Sequence, residues 1–115
     1  MTAVRLPLSV LWTIRGGADF AVRYRWTAGG TTPDLSTWTA RLQARSSVTA
    51  REALLDWDDD HITLGADGLI SIDAPAVETA AYGWTEAIAD LDLTGDGGIV
   101  PFLRARITVT PGIIR

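Results

Sequence analysis

The chain has 115 residues, 47% of them hydrophobic and 21% charged, which suits one domain around a single core and excludes disorder of the polar, highly charged kind. It has no cysteine, so disulfides and thiolate metal sites are excluded, and five tryptophans must supply much of the packing. A net charge of −4 argues against a nucleic-acid binder, which needs a dense basic surface.

All ten basic residues are arginine. Arginine forks carboxylates and stacks on rings, so it suits protein interfaces better than lysine does. Codon bias in a GC-rich genome produces the same skew. The N-terminal MTAVRLPLSVLWTIRGG is too short and too interrupted to span a membrane, and it lacks the basic and small-residue parts of a signal peptide. The expectation is a chain made in the cytosol, with no membrane partner.

In chain order, the dominant period is two. Leu8, Val10, Trp12 and Ile14 share one face of a first strand. After Gly16-Gly17, Phe20, Val22, Tyr24 and Trp26 alternate with Arg23 and Arg25. AGGTTPD is a turn, and Pro33-Asp34-Leu35 leads into a strand with Trp38, Ala40, Leu42 and Ala44 inward and Thr37, Thr39, Arg41, Gln43 and Arg45 outward. Leu35 is expected to plug the core edge.

The segment from Ala53 to Trp57 reads as a strand, with a short helix as the alternative. Ile62–Leu64 and Leu69–Ile72 are two short strands joined by the Gly65-Ala66-Asp67-Gly68 turn. DAPAVETAAY is the helical candidate, with Pro75 in its first turn and Asp73 or a neighbour as its cap. Ala87, Ala89, Leu91 and Leu93 then alternate with Asp90 and Asp92, and the glycines from Gly95 to Gly98 signal a hairpin. Across it, Leu103, Ala105, Ile107 and Val109 alternate with Arg104 and Arg106. Pairing of these last two strands would bring Asp90 and Asp92 near Arg104 and Arg106. Seven or eight short strands with regular turns predict an all-β sandwich or barrel, as one domain over residues 1–115.

Little in the chain looks catalytic. Asp56, Asp58 and Asp60 occupy the first, third and fifth places of a calcium loop, but His61 stands where glycine must turn and Asp67 replaces the closing glutamate. A solvated acidic turn is the simpler reading. With His61 the sole histidine, the usual zinc ligand sets are excluded, and no serine sits in a nucleophile elbow. No catalytic residue, metal or cofactor is therefore assigned, and the chain is read as a non-enzyme. Trp12, Trp26 and Trp38 lie on inward faces. Trp57 and Trp84 sit beside loops, where an aromatic is an interface anchor, a carbohydrate platform or a cap on the sandwich end.

The succession RGGADFAVRYRW, PDLSTWTARLQAR, DGLISIDAPAVETAAY, ADLDLTGDGG and TVTPGIIR resembles the small tail and baseplate proteins of tailed bacteriophages. It is similar to the immunoglobulin-like N-terminal domain of baseplate upper proteins and to short stand-alone minor tail proteins. The chain departs from that pattern at Ser36-Thr37, Ala89, Arg104-Ala105-Arg106 and Ile113-Ile114-Arg115. The resemblance implies an immunoglobulin-like antiparallel β-sandwich with one short connecting helix.

It further implies a virion structural protein of the tail tip or baseplate, present in multiple copies and acting by assembly with other virion proteins. A capsid decoration or head-fibre protein is one alternative, and a host-surface carbohydrate-binding module is another. The expected interface comprises Arg23, Arg25, Arg41, Gln43, Arg45, Trp57, Trp84, Arg104 and Arg106.

Overall fold

The structure is a computed structural model describing residues 6–113. The first five residues of the N-terminal stretch, and Ile114-Arg115 of the closing motif, lie outside the described residues. Among the described residues, eight strands and a helix succeed one another: β1 (Leu8–Arg15), β2 (Phe20–Arg25), β3 (Thr39–Arg45), β4 (Leu55–Trp57), β5 (Ile62–Leu64), β6 (Leu69–Ala74), α1 (Ala76–Thr79), β7 (Glu86–Gly95) and β8 (Gly98–Thr110). They form a five-stranded sheet in the order β1-β8-β7-β3-β4 and a three-stranded sheet in the order β2-β6-β5. The chain is an all-β, immunoglobulin-like sandwich.

β1 and β2 lie in different sheets, joined by the turn at Gly16 and Gly17. Gly17 has φ 85°, which a side chain would strain, and the Gly16 N–H donates to the Thr110 carbonyl at 2.8 Å. The chain thus leaves one sheet and enters the other. β1 lies parallel to β8 and all other strand pairs are antiparallel.

The alternation read from the sequence becomes the core. Ile14, Leu42, Ala44, Leu91, Leu93, Ala105 and Ile107 come from the inner face of the larger sheet, and Ile70, Ile72 and Ala74 from the smaller; all are buried. Full burial of one such leucine or isoleucine is worth about 1.5–3 kcal/mol. Aromatic pairs span the gap between the sheets. Trp12 meets Phe20 at 5.4 Å between ring centroids, and Phe102 receives both Tyr24 and Trp26 at 6.2 Å. The Trp12 indole N–H donates to the Tyr24 hydroxyl at 2.8 Å, satisfying both polar tips. Leu35 is fully buried and its N–H donates to the Gly65 carbonyl at 3.0 Å, so it plugs the core edge as expected.

One irregularity escapes simple alternation. Leu91 pairs with Leu103 but Asp92 pairs with Pro101, leaving Phe102 as the extra residue of a β-bulge. Both Phe102 and Leu103 are buried as a result. Pro101, which has no N–H to donate, is tolerated beside that break.

The segment from Ala53 to Trp57 is a strand only over Leu55–Trp57. The cap expected from Asp73 is corrected: Pro75 occupies the N-cap position without a side-chain bond, and the Ala76 N–H donates instead to Asp19 Oδ1 at 2.8 Å. Thr79 completes that junction. Its buried hydroxyl donates to the Ala18 carbonyl at 2.8 Å and accepts from the Gly17 N–H at 3.1 Å.

Candidate functional site: the outer face of the five-stranded sheet

The alternation that sends leucine and alanine inward puts the intervening residues on the outer face, and strand register orders them into rows. One row runs Ser9, Arg104, Asp90, Gln43, Asp56 across β1, β8, β7, β3 and β4. The next runs Leu11, Arg106, Ile88, Arg45. Asp92 and Arg41 make a third, and Thr13, Thr108 and Glu86 a fourth.

Two forks dominate the face. Arg104 donates from Nε to Asp90 Oδ1 at 2.7 Å and from Nη2 to Oδ2 at 3.0 Å. That hydrogen-bonded arginine holds the Asp90 carboxyl below its ordinary pKa. Arg41 forks Asp56 at 3.1 and 2.9 Å, and Gln43 adds a donor at 3.2 Å. These bonds, Arg41's first, likewise depress Asp56. Arg45 turns toward the loop after β3, donating to the carbonyls of Ala50 at 3.1 Å and Arg51 at 2.6 Å and to Gln43 Oε1 at 3.0 Å. Between the forks lies a groove of about 340 Å³ whose walls include Arg41, Val48, Ile88, Asp90, Asp92 and Arg104.

The face is chemically suited to matching another charged surface. Arg41 and Arg104 engage the carboxylates of Asp56 and Asp90 through charge-assisted forks, and neither fork is arranged as a nucleophile with a base. Apolar side chains interrupt it: Leu11 is 81% exposed, Val48 is 63% exposed and Ile88 is half-buried.

Of the residues expected at an interface, Arg41, Gln43, Arg45, Arg104 and Arg106 share this face. Arg23 and Arg25 do not. They lie on β2, on the outer side of the other sheet, where Arg25 bonds Asp67 at 3.0 Å. The expected pairing of Asp92 with an arginine across the β7–β8 hairpin is also corrected. The bulge sets Asp92 opposite Pro101, and Arg106 lies opposite Ile88.

Trp57 as an interface anchor is overturned, because only 2% of it is exposed. It stacks on the imidazole of His61, with centroids 4.7 Å apart and planes at 11°. His61 Nε2 bonds Glu78 Oε1 at 2.6 Å, and Nδ1 bonds Asp60 Oδ1 at 2.8 Å. Glu78 also accepts from the Tyr82 hydroxyl. Trp84 is half-buried, stacked on Tyr82 at 5.3 Å and packed against the core at one end of the sandwich.

The Asp56–His61 run is a folded turn. The Asp58 N–H donates to Asp60 Oδ1 at 3.3 Å and the Asp60 N–H to Asp58 Oδ1 at 3.5 Å. Among the described residues, no group of three or more histidine, cysteine, aspartate or glutamate side chains is arranged to hold a metal ion. No helix among them is long and apolar enough to cross a membrane.

The sequence reading passed over Leu11 and Ile88. Their signal was available: both are large apolar residues at outward positions of otherwise alternating strands.

No protein-family model matches the chain, and no curated protein matches it significantly. Among solved structures, it is similar to the extracellular domain of the voltage-gated sodium channel beta4 subunit, with a TM-score of 0.50 at 11% identity. The match covers 98% of this chain and 100% of that one. A likeness at that identity speaks to the fold, an immunoglobulin-like sandwich, and to that alone.

Proposed function

We propose that this chain is a non-enzymatic structural subunit of a tailed-bacteriophage virion, a minor tail or baseplate protein that acts through protein–protein assembly. The observation that carries the assembly reading is the outer face of the larger sheet, which presents forked Arg–Asp pairs together with exposed Leu11 on edge strand β1 and exposed Val48 in the loop after β3. Protein interfaces are enriched in arginine and combine apolar contacts with hydrogen-bonded polar groups. The virion assignment rests on the sequence resemblance, which the immunoglobulin-like fold supports. The solved beta4 domains are described as parallel homodimers with a role in cell–cell adhesion, so a sandwich of this architecture is suited to contact through its surfaces.

The subunit would be made in the host cytoplasm and incorporated into the particle beside other tail proteins. A capsid decoration role uses the same face and differs only in its neighbour. The carbohydrate reading loses its platform at Trp57, whose indole is covered. Deletion of the gene in a phage carrying it tests the proposal. Particles with absent or non-functional tail tips, rescued by the gene in trans, are the expected result. Normal infectious particles that lack the protein would refute it.

A further inference from the structure

The outer face of the five-stranded sheet is arranged to match itself. An in-plane two-fold axis running along the strands between β7 and β8 exchanges β8 with β7 and β1 with β3. Each row then meets its own reverse. Arg104 of one copy falls over Asp90 of the second, and Ser9 over Gln43. In the next row Arg106 falls over Ile88, and Leu11 over the aliphatic stem of Arg45. In the fourth, Thr108 falls over Glu86.

We propose that this face binds a second copy of the same chain, as a parallel face-to-face dimer. The inference rests on the assembly reading above and names its first partner.

Charge favours this occupant over others. The chain carries −4 overall, yet this face sets Arg41, Arg45, Arg104 and Arg106 against Glu86, Asp56, Asp90 and Asp92. A strongly acidic or strongly basic partner meets as many repulsions as attractions there. A surface of alternating sign, inverted by a two-fold axis, meets none at its central row.

Geometry permits the contact, because sheets pack face to face about 10 Å apart with strands nearly aligned. At ~4.8 Å between strands and ~3.3 Å per residue, four rows across the four overlapping strands cover on the order of 500 Å² per copy. A standard interface buries about 800 Å² per partner, so the dimer is concentration-dependent rather than obligate. The charged rim makes it salt-sensitive.

The test is sedimentation velocity on the purified chain over roughly three decades of concentration, at low and high salt. Reversible dimerisation that weakens with salt is expected. Asp90→Arg and Arg104→Asp should each weaken self-association at least tenfold, about 1.4 kcal/mol. Mixing the two variants should restore it, because one supplies two arginines to the other's two aspartates. Circular dichroism of each variant confirms that it is folded, and Ser9→Arg, which leaves both forks intact, provides a second disruption of the central row. A wild-type chain that stays monomeric throughout, or variants that do not recover on mixing, would overturn the dimer. A monomer still incorporated into virions would leave the assembly reading standing, so the two failures are distinguishable.

Discussion

His61 lies flat against Trp57, 4.7 Å between centroids, while its two ring nitrogens hold carboxylates from Asp60 and Glu78. Three segments meet at that imidazole: the end of β4, the entrance to β5 and helix α1. Burial acts to lower the His61 pKa, but the bonds to Glu78 and Asp60 outweigh it and hold it above 6.5. Burial acts to raise Glu78, and the bonds from Tyr82 and His61 outweigh it, leaving it below 4.5.

The sign of the pH dependence follows. The His61 contribution is complete below pH 6.5 and declines as pH rises through the elevated folded value. The Glu78 contribution is complete above pH 4.5 and declines as pH falls through the depressed folded value. The junction is therefore tightest between about pH 4.5 and 6.5. Urea denaturation across pH should show stability falling above that window. In His61→Gln the alkaline decline should disappear, with an overall loss of about 1–3 kcal/mol. An unchanged alkaline slope in the variant would refute the assignment.

Thr79 is predicted to matter more than an exposed threonine would. Replacing it with valine keeps the volume but removes the partner of the Gly17 N–H and the Ala18 carbonyl. Thermal or chemical denaturation should show a loss of about 1–3 kcal/mol. Asp19→Ala, which removes the distant cap on Ala76, should cost about 0.5–2 kcal/mol.

At Gly95 space decides. A Cβ there would lie 2.3 Å from the Trp38 ring, so Gly95→Ala must displace the indole. A destabilisation of about 1–3 kcal/mol, with a shift in tryptophan fluorescence, is expected.

The Arg104–Asp90 fork separates stability from assembly. Both side chains are about half exposed, so solvent screens the pair and it adds little to folding. Arg104→Ala should leave the melting curve nearly unchanged while reducing association. Unfolding by several kcal/mol would make the fork a structural element instead.

Much of the sandwich was legible because strand burial on one side writes itself as alternation. Ala87, Ala89, Leu91 and Leu93 fall inward as read, and the hairpin closes at Gly95 and Gly98. Phe102 was not legible as a bulge, since a one-residue slip depends on which partner residue it faces. The Asp19 cap was hidden for a related reason: donor and acceptor stand 57 positions apart. Trp57 was misplaced because a tryptophan flanked by aspartates looks exposed, whereas strand β4 turns its ring inward onto His61. Arg41, Gln43 and Arg45, and separately Arg104 and Arg106, were legible as outward because alternation assigns them so, but not that β3 and β8 share one sheet. Alternation could not say that Arg23 and Arg25 face the opposite way, because that depends on the chain crossing between sheets at Gly16-Gly17.

The central claim is that the outer face of the five-stranded sheet, not a pocket, makes the working contact. A density map of the assembled particle containing this subunit tests it most directly. The account predicts that Ile88, Asp90, Arg104 and Arg106 are covered by a neighbouring chain. A map that leaves those four residues open to solvent, with every contact made elsewhere, would contradict it.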